Sequence, residues 1–215
     1  MKVDIWSDVR CPFCYIGKRN FEAALEKFDH KNEVEVTWHS FELDPTLETQ
    51  PQLNTIDYFV QAKGVSKEQA EQMLDGAKQM AQNANLDMDL KNSKVANSFK
   101  AHQLIQLAKK KGLDNEVEEA LFKAHFTDLE NIDDEDVLVK TGASIGIEEK
   151  TIREALSLGT YADEVRKDQM QARDLGVRGV PFFVINNKYG VSGAQPAETF
   201  LDILQKAQGE SEPKN

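Results

Sequence analysis

The fold is decided at residues 3–14, which read Val3-Asp4-Ile5-Trp6-Ser7-Asp8-Val9-Arg10-Cys11-Pro12-Phe13-Cys14. Alternating and β-branched side chains predict a short strand at 3–6 that ends at the following Ser-Asp pair. The only 2 cysteines of the chain follow, three positions apart. Apolar residues then recur at helical spacing, which predicts a helix from Pro12 to Phe28. Proline is tolerated there because first-turn amides have no intrahelical partner.

The segments that flank this helix indicate an α/β protein. A second strand is predicted from the apolar residues Val34, Val36, Trp38 and Phe41, and it completes a β-α-β unit. From residue 57 to about 176 the pattern is helical, and we expect no strand there. Strand signals return with Phe182 to Ile185 and a hairpin partner, Tyr189 to Ser192. Pro196 then opens a last helix, which we expect to end before Gly209.

This element order is that of a thioredoxin-like α/β fold with a large all-helical insertion. We assign residues 1–45 and 177–210 to the thioredoxin-like domain, 46–176 to the insertion and 211–215 to a tail. Within the insertion, a capping-box pattern at Ser66 and Gln69 predicts a helix to about residue 85. Ser93 is expected to open another, which passes through Val95 and stops near Gly112. The remaining helices are predicted at 116–126, 134–145, 148–158 and 161–175.

Composition excludes several classes of protein. The 215 residues include 26 basic and 37 acidic side chains, for a net charge of −11, which argues against nucleic acid as a partner. No stretch approaches the ~20 apolar residues of a membrane span. Asp4 and Asp8 interrupt the amino-terminal apolar run, so no signal peptide is predicted and we expect a cytoplasmic protein. With 2 cysteines, a multi-disulfide scaffold is excluded.

The cysteine spacing favours reversible redox chemistry. Two cysteines at i and i+3 at a helix start place both sulfurs on one face, and the helix dipole would stabilise a thiolate at Cys11. We therefore predict Cys11 as the nucleophile and Cys14, held deeper, as the thiol that resolves the mixed disulfide. A zinc half-site is the alternative, but it needs two further ligands, and none of the four histidines has a zinc-finger spacing. We predict no metal and no cofactor.

A second informative element is Gly179-Val180-Pro181, which runs directly into the strand at 182–185. From the residues alone, a plain strand-opening proline is favoured. A cis peptide bond is the alternative, because cis X-Pro occurs in only ~5% of folded cases and is then retained for a reason.

Together, Cys11-Pro12-Phe13-Cys14 and the distant run at 176–184 (Gly-Val-Arg-Gly-Val-Pro-Phe-Phe-Val) resemble the DsbA-type branch of thioredoxin-like oxidoreductases. The runs at 38–45, 97–102 and 192–196 resemble its FrnE-like subgroup. The resemblance implies a disulfide oxidoreductase or isomerase that acts on protein or peptide thiols, with glutathione as a further partner. It also implies a cis Pro181 beside the cysteines and a Val180 backbone offered to an extended substrate. We accordingly expect Pro12, Phe13, Val180 and Pro181 to contact substrate.

The chain also departs from these relatives. DsbA of the periplasm has a histidine where this chain has Phe13, which cannot donate a hydrogen bond to a thiolate, so a reductase, isomerase or repair role is favoured over strong oxidation. Two other functions stay open. One is a glutathione-dependent isomerase or transferase, similar to the kappa-class and hydroxychromene-carboxylate isomerase enzymes, which place a serine at the position of Cys11. The other is a holdase-type binding protein in which the cysteines only regulate.

Other polar residues are predicted to be structural. His102 is expected to be a partly buried histidine satisfied by nearby backbone groups, with an approach to the active-site cleft as the alternative. His39 and His125 are assigned to packing. Lys18 is expected on a solvated helix face. Phe182 and Phe183, as neighbours in a strand, must face opposite sides of the sheet.

Overall fold

The computed structural model describes residues 1–211 and shows an α/β protein with a four-stranded sheet. In chain order, its strands and helices are β1 Lys2–Ser7, α1 Pro12–Glu26, β2 Glu35–Ser40, β3 Gln50–Asn54, α2 Thr55–Lys63, α3 Lys67–Asn83, β4 Lys94–Val95, α4 Phe99–Lys109, α5 Asp114–Phe126, α6 Glu135–Ser144, α7 Glu149–Leu158, α8 Ala162–Asp174, β5 Phe182–Ile185, β6 Tyr189–Ser192 and α9 Ala197–Ser211. None of the helices described is long and apolar enough to cross a bilayer.

The sheet joins the two ends of the chain in the order β2-β1-β5-β6. β1 runs parallel to β2, with Val3 opposite Val36, and antiparallel to β5, with Trp6 opposite Phe182. The β-α-β unit and the hairpin predicted from the sequence are both confirmed. They place the end of β1, and the cysteines that follow it, beside the start of β5.

The two faces of the sheet are covered by different helices. Phe183 and its same-side neighbours pack against α1 and α9, whereas Trp6, Phe182 and Val184 pack on the other side with Ala172 of α8. Phe182 and Phe183 therefore face opposite sides, as expected for consecutive strand residues. The largest apolar core lies among α3 to α7 and reaches Cys11, Cys14, Tyr15 and Ile16. The cysteine pair thus lies where the sheet meets the helical segment, by which we mean the elements from α2 to α8.

Two predictions for the helical segment are wrong: the helix start at Ser93 and the absence of a strand between residue 57 and about 176. Ser93 does not open a helix, because its hydroxyl donates to the Leu90 carbonyl (3.1 Å) and contacts the Thr55 hydroxyl (2.8 Å). Residues 94–95 instead form β4, which pairs antiparallel with β3. The helix begins at Phe99, whose amide donates to the Asn97 side chain at 2.8 Å. The domain boundaries at 45, 46, 176 and 177 remain predictions.

The end of the chain also differs from expectation. α9 continues past Gly209 to Ser211. A glycine in helical backbone conformation weakens a helix without ending it, and Gly209 does not have the positive φ of a helix-terminating glycine. Residues 212–215 of the predicted tail lie outside the described part of the chain.

A buried polar network ties the sheet to the helical segment at His39. Its ring stacks on Trp6 at 4.5 Å, so the predicted packing role is confirmed, but the imidazole also lies between two carboxylates. Nε2 is 2.8 Å from Asp4 Oδ1, and Nδ1 is 2.9 Å from Asp168 Oδ1. Gln106 of α4 donates to the second oxygen of Asp168 at 2.6 Å. These contacts connect β1 and β2 with α4 and α8.

The expected solvated position of Lys18 is wrong. Only 2% of this side chain is exposed, and its Nζ contacts Glu22 and lies 3.0 Å from Glu119 Oε2. The packing of α1 on α5 brings Glu119 over the lysine. A sequence separation of about 100 residues hides such a partner from any reading of local pattern.

Candidate active site

The cysteine pair lies at the start of α1, directly after the loop that leaves β1. Cys11 is the N-cap residue of α1, and Pro12 is its first residue. Cys11 is 5% exposed and Cys14 is 1% exposed, and both are free thiols. The first sulfur is therefore the more accessible of the two, whereas the second is enclosed by the core.

The start of β5 lies against this pair. The Cys11 Sγ is 3.7 Å from the carbonyl oxygen of Val180, and the Val180–Pro181 peptide bond is cis. α1 makes room for the proline ring at Gly17, where an added Cβ would lie 2.9 Å from Pro181 Cγ. The fold thus brings together Cys11, Val180 and Pro181, which are about 170 residues apart in sequence.

Of the aromatic residues near the pair, Phe13 is the exposed one. Its side chain is 40% exposed, whereas Trp6 and Phe183 are buried in the core. Pro12 is half-buried. Phe13 and Pro12 therefore present an apolar surface next to the more accessible thiol.

Comparison with known proteins identifies the family of this chain. The sequence model of the DSBA-like thioredoxin domain matches residues 2–205. The chain belongs to this family. A probable DsbA oxidoreductase from Streptomyces coelicolor is 39% identical, with a TM-score of 0.92 over 100% of this chain and 93% of that one. The uncharacterized protein YwbO from Bacillus subtilis strain 168 is 28% identical over 99% of this chain and 98% of its own.

A more distant structure, the cytosolic disulfide reductase DsbM from Pseudomonas aeruginosa, has 16% identity and a TM-score of 0.70 over 98% of this chain and 100% of that one. It has also been solved with glutathione. At this identity the likeness shows a shared fold. The predicted membership of the DsbA-like group and the predicted fold class are thus confirmed.

In this DSBA-like domain, Cys14 has a distinct polar environment. The Asp8 amide donates to the Cys14 Sγ at 3.5 Å, and the nearby Ser7 hydroxyl, like this amide, acts to lower the pKa of the thiol. Burial, followed by the adjacent Cys11 sulfur, raises the pKa of the Cys14 thiol well above its ordinary value. Cys14 therefore remains protonated near neutral pH unless a base removes the proton.

A buried carboxyl group lies one contact away from Cys14. Glu118 of α5 is 1% exposed, and its Oε1 accepts a hydrogen bond from the Ser7 hydroxyl at 2.6 Å. Burial raises the pKa of Glu118 from 4.5 to about 7. Near pH 7 this group can therefore both take and return a proton. Ser7, which donates to this carboxyl, is also near enough to Cys14 to affect the pKa of its thiol.

His102 and Asp8 form a charged pair in the same buried layer. Nε2 of His102 is 3.5 Å from Asp8 Oδ1, and both side chains are almost completely buried. Burial alone would lower the pKa of His102, but the carboxylates of Asp8 and Glu118 raise it. Burial alone would raise the pKa of Asp8, but His102 and then Arg10 hold it below its usual value.

The expectation that backbone groups satisfy His102 is wrong. Neither of its ring nitrogens has a hydrogen-bond partner within residues 1–211, so the pair is held by charge. His102 is almost completely buried against Asp8, so it does not line an open cleft. The layer formed by Ser7, Asp8, His102 and Glu118, which we call the buried polar layer, was not predicted from the sequence. One signal was available: Glu118 shares a helical face with Leu121 and Phe122, where an acid is unusual.

The part of the chain that the structure describes has no group of three or more His, Cys, Asp or Glu side chains arranged to hold a metal ion. The groups that this arrangement brings together are two thiols and the buried polar layer next to Cys14.

Proposed function

We propose that this DSBA-like domain is a thiol–disulfide oxidoreductase or isomerase that acts on protein and peptide disulfides, with Cys11 as the nucleophile and Cys14 as the resolving thiol. The observation that carries the proposal is the asymmetry of the pair. Cys11 caps the helix beside Val180 and exposed Phe13, whereas Cys14 is enclosed with its sulfur against the Asp8 amide.

The reaction proceeds in two exchanges. The Cys11 thiolate attacks one sulfur of the substrate disulfide, so that a Cys11–substrate bond forms and the other substrate sulfur leaves as a thiolate. Cys14 then loses its proton and attacks the Cys11 sulfur, which releases the second substrate thiolate. Two electrons pass from the protein dithiol to the substrate. An external thiol such as glutathione returns the pair to the dithiol, and the reverse sequence oxidises a substrate.

The buried polar layer supplies the base for the second exchange. The Cys14 proton passes through the Ser7 hydroxyl to Glu118, whose carboxyl is poised near neutral pH by its burial. When the pair is reduced again, the same route returns the proton.

Substrate binding uses the surface around Cys11. Phe13 and Pro12 offer apolar contact, and the backbone at Val180, before Pro181, lies next to the nucleophile and can pair with an extended segment. Because Phe13 provides no hydrogen-bond donor to a thiolate, we assign a reducing or isomerising role in a cytoplasmic, thiol-buffered setting, where the pair rests as the dithiol.

The test compares the two single serine variants. Cys11→Ser should abolish the reduction of insulin and the exchange of scrambled disulfides, whereas Cys14→Ser should accumulate a mixed disulfide on Cys11, detected by mass spectrometry. Full activity of Cys11→Ser contradicts the proposal. Glutathione-stimulated turnover of a small molecule by Cys14→Ser, without a trapped protein substrate, would support the glutathione-dependent isomerase or transferase instead.

A further inference from the structure

A small cavity lies beside the cysteine pair, between the start of α1 and the helical segment. Its volume is about 100 Å³, which is below the ~150 Å³ of a protein cavity that holds benzene. Arg10 and Pro12, the two neighbours of Cys11 in sequence, line one side. The opposite walls come from α2, β4 and α5 and include Tyr58, Lys94 and His125.

The charges around this cavity are unusual for this protein. The chain has a net charge of −11, yet the residues that line the cavity include two cations, Arg10 and Lys94, and no carboxylate. Within residues 1–211, neither cation forms an ion pair or a side-chain hydrogen bond. The buried Asp8 carboxylate interacts with Arg10 through charge but does not line the cavity. Two cations without an ion-pair partner in a concave site favour an anionic ligand, because low-dielectric walls concentrate their field.

The pKa of His125, a residue of the cavity wall, is affected by the charge of Arg10. The side chain is 3% exposed, and its pKa falls from 6.5 to about 4 because of burial and then the charge of Arg10, with Asp8 acting in the opposite direction. Its Nδ1 has no hydrogen-bond partner within residues 1–211. A neutral imidazole with a free nitrogen can take up a proton from solvent when an anion offsets the neighbouring cation.

We propose that this cavity binds a substrate carboxylate, that of an acidic residue next to the reacting cysteine of a peptide or protein. Its position supports this assignment, because residues on both sides of Cys11 line it and consecutive Cα atoms are ~3.8 Å apart. A carboxylate one residue from the substrate sulfur is therefore within reach of Arg10. The proposal rests on the proposed function, since it specifies which disulfides that pair attacks first.

The experiment uses disulfide-linked dimers of capped peptides, acetyl-Ala-Cys-Xaa-Ala-amide and acetyl-Xaa-Cys-Ala-amide, with Xaa as Asp, Asn or Ala. Single-turnover rates with the reduced full-length protein need no added reductant, because the dithiol supplies both electrons. We expect an Asp over Asn preference of roughly tenfold in one of the two series, as a charge-assisted hydrogen bond provides. Arg10→Gln and, separately, Lys94→Gln should each lower this ratio to about twofold or less.

Lys150→Gln is the matched control, since it removes a cation from the exposed surface of α7 and should keep the full preference. Ratios measured within each variant are independent of a general loss of rate. A direct reading comes from the pKa of His125 by NMR, which should rise when the non-reacting peptide acetyl-Ala-Ser-Asp-Ala-amide or acetyl-Asp-Ser-Ala-amide saturates the protein.

Equal rates for Asp and Asn peptides in wild type, or an unchanged preference in both Arg10→Gln and Lys94→Gln, would overturn the proposal. These outcomes differ from a failure of the proposed function, in which Cys11→Ser would keep its exchange activity with every peptide.

Discussion

Replacing Glu118 with glutamine should stabilise the protein at alkaline pH and slow the second exchange. Burial raises the pKa of this carboxyl from 4.5 to about 7, so the folded state holds a proton that the unfolded chain loses over that interval. The contribution of the protonated Glu118 carboxyl to the free energy of unfolding is therefore complete below pH 4.5 and is lost as the pH rises through 7. Since one pKa unit corresponds to about 1.4 kcal/mol, ionising the buried acid costs about 3 kcal/mol.

A neutral glutamine keeps an oxygen that can accept from Ser7 and does not ionise. The free energy of unfolding of the variant, relative to wild type, should therefore increase by about 3 kcal/mol between pH 4.5 and 8, as measured by urea denaturation at several pH values. Glu116→Gln is the matched control, because Glu116 is an exposed acid on the same helix. Its stability difference should vary little over the same range.

The kinetic consequence follows from the loss of the base. General base catalysis contributes about 10²- to 10⁴-fold, so the resolution step should slow by about 100-fold in Glu118→Gln. Rapid acid quenching and mass spectrometry should then show that the Cys11 mixed disulfide accumulates during a single turnover of Glu118→Gln. In the control Glu116→Gln it should not accumulate. A stability difference that does not depend on pH, or a resolution rate within threefold of wild type, would refute the assignment of Glu118.

Two further predictions concern the framework of the site. Asp168→Asn breaks the contact with His39 that joins β2 to α8, and it should lower the free energy of unfolding at pH 7 by about 3 kcal/mol, as measured by urea denaturation. The control is Asp174→Asn, at an exposed position, which should change the free energy of unfolding by no more than about 0.5 kcal/mol. Burial raises the pKa of Asp168, but this histidine lowers it below 3.8, so the cost should shrink as the pH falls below that value. Gly17→Ala places a methyl 2.9 Å from the Pro181 ring and should lower both stability and the rate of insulin reduction. The control is Gly76→Ala, which has open space around it and should stabilise α3 by up to about 1 kcal/mol. Equal effects of the two substitutions would contradict the close packing at Gly17.

The sequence was sufficient for those parts of the fold that depend on local pattern. The bounds of β5 and β6 and the capping box at Ser66 agree with the structure, because period-2 alternation and side-chain capping are read from a few neighbouring residues. β4 was missed because two residues are too few to show a period. Lys18 was misplaced because its partner Glu119 lies on a helix that only the fold brings close.

Within the site, too, residues recognisable from local sequence were predicted, whereas residues brought together only by the fold were not. Cys11 and Cys14 are recognisable from spacing. Pro181 is assigned to the site only through the resemblance to the DsbA-type branch, because its place before a strand favours a plain strand-opening proline, whereas the bond is cis. The residues that set the protonation of Cys14 have no such signature, because Ser7 and Glu118 are 111 positions apart and meet only when α5 packs beneath β1. The Cys-x-x-Cys motif predicts which two sulfurs form the redox pair. The groups that exchange a proton with Cys14 depend on tertiary contacts, which the motif does not predict.

This separation changes the role of the helical segment. Its α2, β4 and α5 line part of the cation-lined cavity beside Arg10, which is consistent with a role in substrate choice. Yet Glu118 and His102 also come from this segment, on α5 and α4, and both lie in the buried polar layer that includes Ser7 and Asp8. In the proposed reaction, substitutions there would change the resolution rate while Cys11 and its surface stay intact. A segment inserted between the two halves of the sheet can therefore adjust whether a mixed disulfide is resolved quickly or persists long enough to be rearranged, which is the difference between a reductase and an isomerase.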